Sequence, residues 1–99
     1  MQKLRMPSGF APAGKRLWRS ITDEFELENE PHKLQILAEA ARVAGLIAEL
    51  DDAAAEAPLT VKGSQGQPVI SPLIAEARAQ RALLAQLLAR LNFESYTDA

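Results

Sequence analysis

The chain has 99 residues, 47% of them hydrophobic, a net charge of −2 and no cysteine, which fits one small domain and excludes disulfides and thiolate metal sites. No uncharged apolar run approaches the roughly 18–20 residues that span a bilayer, and no hydrophobic segment follows Lys3 and Arg5 to make a signal peptide. The expectation is therefore a soluble, cytoplasmic protein with no membrane partner.

Residues 1–13 contain Pro7, Gly9 and Pro12 without a sustained period and read as a flexible basic arm. Gly14 then opens a short helix to about Phe25, on which Leu17, Trp18, Ile21 and Phe25 share one face. Trp18 is the sole tryptophan, and its place on the apolar stripe makes it an anchor onto longer helices. The acids Asp23, Glu24, Glu26, Glu28 and Glu30 punctuate a turn, since a helix C-terminus disfavours them. Asn29 or Glu30 can cap the next helix, with Pro31 in its first turn.

That helix is predicted from Pro31 to about Ala54. Ile36, Ala40, Val43, Ile47, Leu50 and Ala54 make one stripe, and Leu34, Leu37, Ala41, Ala44 and Ala48 a second beside it. Two stripes imply two neighbours, and the Ala-rich one, with Gly45 close by, admits a close approach. Pro58 stops the helix. Leu59–Lys62 and Gln67–Ile70 then flank Gly63–Ser64–Gln65–Gly66, whose glycines permit positive φ, so the connection can form a small β-hairpin with Pro68 at its edge.

Ser71 and Pro72 mark the start of a Leu/Ala helix running to Leu91, with Asn92 as its terminator. Leu73, Ala77, Gln80, Leu84, Leu87 and Leu91 form a seam at alternating spacings of four and three, widened by Ile74, Leu83 and Leu88. The two long helices match in length and form an antiparallel hairpin. The leucines exceed what one partner helix hides, so Leu73, Ala77, Leu84, Leu87, Leu88 and Leu91 are assigned to oligomerisation. The expected fold is mainly α: a short helix plus a long helical hairpin, core 14–91, tail 92–99, with part of the seam meeting another copy of the chain. Phe93 and Tyr96 in the tail either fold back or stay free.

Catalytic chemistry is missing from the sequence. There is one histidine and no cysteine, Asp51 and Asp52 point to different sides of a helix, and no general acid–base or nucleophilic set can be assembled. The Gly63–Gly66 turn lacks the Gly-Lys-Ser/Thr of a nucleotide loop. No enzyme and no cofactor are expected. Charge is segregated: residues 1–20 hold five bases and no acid, residues 21–30 five acids and no base.

Three segments, Gly14–Lys15–Arg16–Leu17–Trp18, Val61–Lys62–Gly63–Ser64–Gln65–Gly66–Gln67–Pro68 and Pro72–Leu73–Ile74–Ala75–Glu76–Ala77–Arg78, occur in this order within Gly14–Phe93. In order and spacing they resemble small terminase subunits of tailed bacteriophages, particularly the short family of actinobacterial phages and prophages. The resemblance implies a non-enzymatic ring in the host cytoplasm that binds viral double-stranded DNA and delivers it to the large terminase subunit, whose ATPase and nuclease it regulates. Many such proteins carry an N-terminal helix-turn-helix; one short helix before the central pair departs from that pattern. DNA contacts are accordingly assigned to charge: Lys3, Arg5, Lys15, Arg16 and Arg19 first, then Lys62, Arg78 and Arg81. The alternative, from the acidic pI of 5.4 and the Leu-rich seam, is a helical adaptor that binds only protein.

Overall fold

A computed structural model describes residues 4–93, which form α1 (Pro12–Glu24), α2 (Pro31–Ala55), β1 (Thr60–Lys62), β2 (Pro68–Ile70) and α3 (Pro72–Leu91). The chain is mainly helical with one small antiparallel sheet, as the patterning predicts. Every helix begins on a proline, whose fixed φ and missing N–H suit the first helical position.

Helix α1 starts at Pro12, ahead of Gly14, and Gly14 is buried in its first turn. A Cβ at Gly14 would overlap the Ala41 carbonyl oxygen of α2, so the glycine is what lets the two backbones touch. One turn along α2, a Cβ at Gly45 would lie 2.9 Å from the Ala11 Cβ. The Ala-rich stripe of α2 is thus the bed on which α1 lies. Trp18, 4% exposed, packs beside this crossing in a cluster with Phe10, Leu27, Leu37, Ala41 and Leu91.

Two members of that cluster correct the sequence expectations. Residues 4–11, assigned to a flexible arm, include Phe10, which is 6% exposed; its ring stands 5.9 Å from Trp18 at an interplanar angle of 52°. Leu4 and Met6 pack against the same cluster. Within the acidic turn, Leu27 is fully buried while Glu26 and Glu28 on either side of it are exposed. Period-based reading passes over both residues because neither Phe10 nor Leu27 sits in a repeating pattern.

Helices α2 and α3 run antiparallel. Leu91, at the end of α3, joins the cluster of Leu37 near the start of α2, and Arg81 pairs with Asp51 further along. Ile36, Ala40, Val43, Ile47, Leu50 and Ala54 are all buried or half-buried, and so are Leu73, Ala77, Gln80, Leu84, Leu87 and Leu91. The α3 seam therefore meets the first α2 stripe inside the chain. Two stripes on α2 have two neighbours, α1 and α3.

Between the long helices, Thr60–Lys62 pairs with Pro68–Ile70. The turn closes through Gly63 N–H to the Gln67 carbonyl at 2.7 Å and Gly66 N–H to the Gly63 carbonyl at 3.0 Å. Of the two turn glycines only Gly66 takes a positive φ, +81°; Gly63, expected to do the same, does not, and a Cβ there would meet only the movable end of the exposed Gln67 side chain. Buried Ser71 fixes this hairpin to α3. Its N–H donates to the Leu59 carbonyl at 2.8 Å, and its hydroxyl accepts from Leu73 N–H at 3.2 Å as the N-cap. Asn92 ends α3 in the left-handed conformation with φ 49°. Among the described residues, no helix is long and apolar enough to cross a membrane.

Candidate nucleic-acid interface

Because Gly14 and Trp18 turn toward α2, the opposite side of α1 must face solvent, and it carries the positive charge. Lys15, Arg16 and Arg19 are exposed there within about 6 Å along the helix axis. None of the three takes part in an ion pair among the described residues. Like charges at this spacing repel slightly, so the cluster works against helix stability. Exposed Asp23, Glu24, Glu26 and Glu28 follow directly and bound the basic surface at its C-terminal end.

The other assigned cations are distributed differently. Arg5 is exposed on the segment leading into α1, and Lys3 lies outside the described residues. Lys62 is exposed on β1 and Arg78 on α3, neither in an ion pair among the described residues. Arg81 is engaged by Asp51 across the helical hairpin, so part of its charge is already answered and it ranks below the rest. Asp51, which belongs to no catalytic set in the sequence, holds that contact.

The oligomerisation residues also need correction. Ala77 and Leu91 are buried inside the chain, and Leu73, Leu84 and Leu87 are half-buried on the same seam. Seven-residue patterning identifies a face that wants an apolar partner without saying which helix supplies it; here α2 does. Of the assigned six, Leu88 alone stays exposed, at 36%. Leu46, Leu59, Ile70 and Leu83, assigned to no site from sequence, are the other large apolar side chains left exposed among the described residues.

A cleft lies where the α1–α2 link meets the end of α3, lined by Glu24, Glu26, Glu30, Lys33, Asn92 and Phe93 among others. Phe93 folds back to stack on Phe25, ring centroids 3.8 Å apart and nearly parallel, and the Lys33 ammonium sits 5.4 Å from its ring. Lys33 also pairs with Glu30 at 3.2 Å. These contacts close the small end of the fold and present acids, which repel phosphate. Tyr96, paired with Phe93 in the sequence expectation, lies outside the described residues.

No family model, no curated protein and no solved structure matches the chain. The fold itself is thus the ground for function: an exposed cationic helix face, a bounded acidic end, and apolar side chains left uncovered on the long helices.

Proposed function

We propose that this chain is a small terminase subunit, a non-enzymatic protein of the host cytoplasm that binds viral double-stranded DNA as a ring-forming homo-oligomer and presents it to the large terminase subunit. The observation that carries this is the exposed Lys15–Arg16–Arg19 face of α1, which has no ion-pair partner among the described residues, in a chain with three segments that resemble that family. Such a face neutralises phosphates and does not read base edges, so each copy binds weakly. Affinity comes from repetition around a multimer, with Arg5, Lys62 and Arg78 as further phosphate contacts. Specificity then rests on DNA shape and on spacing between copies.

The test combines size and salt. Light scattering on the purified protein should give a multi-subunit mass, and duplex DNA binding should weaken steeply with salt, with a log–log slope of about −0.9 for each phosphate neutralised. Changing Arg16→Glu together with Arg19→Glu should flatten that slope and leave the mass unchanged. A protein indifferent to DNA at low salt would refute the packaging role and favour the protein-only adaptor.

A further inference from the structure

We infer that the flank of α2 and α3 carrying Leu46 and Leu83 docks a second copy of this chain about a two-fold axis, giving a four-helix bundle. The inference deepens the self-association half of the reading above and needs none of its DNA half.

Helical phase places the two leucines together. Arg81 lies about 160° round α3 from Leu83, and Asp51 about 140° round α2 from Leu46. Since Arg81 and Asp51 meet on one flank of the hairpin, Leu46 and Leu83 share the other. They also stand abreast, because the pairing of Asp51 with Arg81 and the shared cluster of Leu37 and Leu91 fix the antiparallel register. Leu46 is turned well away from Ala41, where α1 lies, and the two leucines are 41% and 39% exposed.

The row around Leu83 is complementary to itself. Glu76, Leu83 and Arg90 recur at seven-residue spacing on α3, with Ala79 and Gln86 between them, and all five are exposed. In an antiparallel α3–α3 contact centred on Leu83, Glu76 of each copy meets Arg90 of the other, while small Ala79 lets the helices approach. Neither Glu76 nor Arg90 has an ion-pair partner among the described residues. On α2, Glu49 lies on one side of Leu46 and Arg42, already paired with Glu39 at 3.0 Å, on the other, so the charge complementarity between copies is carried by α3. The face is about 30 Å long and two helices wide, on the order of 600 Å² per copy, which sits at the lower edge of stable interfaces. Leu88 lies about 140° round α3 from Leu83, outside this face.

A chain with no cysteine makes the test direct. Under mild oxidation the full-length Leu83→Cys protein should convert to disulfide-linked dimers, because identical residues meet only near a two-fold axis. Leu88→Cys should not. Glu76→Arg or Arg90→Glu alone should weaken association at least tenfold by placing like charges opposite each other, and the two together should restore it. Absence of Leu83→Cys dimers, or equal cross-linking through position 88, overturns the inference. A large multimer that binds DNA without Leu83→Cys dimers would overturn the pairing and leave the packaging proposal standing; dimers from a protein indifferent to DNA would uphold the pairing and end the packaging proposal.

Discussion

Replacing Gly14 by alanine sets two effects against each other. In an unpacked helix the change would stabilise by about 1 kcal/mol through helix propensity. Here the new methyl would overlap the Ala41 carbonyl oxygen, and a backbone atom in the middle of α2 cannot rotate aside as a side chain can. Forcing the helices apart costs about 2–3 kcal/mol, the upper part of the overpacking range because the obstacle is a backbone atom, and loosens the packing of Trp18 and Phe10 beside the crossing. The overlap wins, with a net loss of about 1–2 kcal/mol. For a domain of this size that lowers the melting temperature by about 5–15 °C. The measurement is thermal unfolding followed by circular dichroism and by fluorescence of Trp18, the one tryptophan, at fixed protein concentration because the proposed self-association would add to apparent stability. A Gly14→Ala protein as stable as the parent, or more so, would show that α1 does not lie against α2 as described.

Phe10→Ala should lose about 3 kcal/mol or more in denaturant unfolding and shift the Trp18 emission to the red, since Phe10 is a core side chain; an unchanged midpoint would return residues 4–11 to the status of an unattached arm. Asp51→Ala should cost no more than about 1 kcal/mol, because both partners of its ion pair are about half exposed; a larger loss in the same assay would show that the pair organises the hairpin. Asn92→Ala should destabilise by about 1 kcal/mol and Asn92→Gly should not, because the position takes φ 49°; equal effects from the two would remove the left-handed cap from the account.

Elements that announce themselves through period or punctuation are readable from the residues alone. The ends of α2 and α3 follow from Pro31, Ser71, Pro72 and Asn92, and the two stripes of α2 correctly imply two neighbours. The hairpin follows from Gly63 and Gly66, although of the two only Gly66 uses a positive φ. What stays hidden is anything decided by which surface wins a competition. The α3 seam could serve a partner chain or α2 equally well on pattern, and only the observed packing assigns it to α2. Phe10 and Leu27 are isolated apolar residues among turn formers, so nothing periodic distinguishes them from exposed ones. The cations of α1 were legible as charge; that their side of the helix is the one turned outward depends on Gly14. The loss of Arg81 to Asp51 depends on a contact between residues far apart in the chain.

Helix α2 touches both of its neighbours, and under the proposed function this separates two duties in space. The cationic face of α1 lies on one side of α2, and Leu46 and Leu83 point elsewhere. Substitution of Lys15, Arg16 or Arg19 then leaves the inferred pairing face untouched, so on that reading a lineage carrying this layout can retune its grip on a polyanion without altering how copies meet.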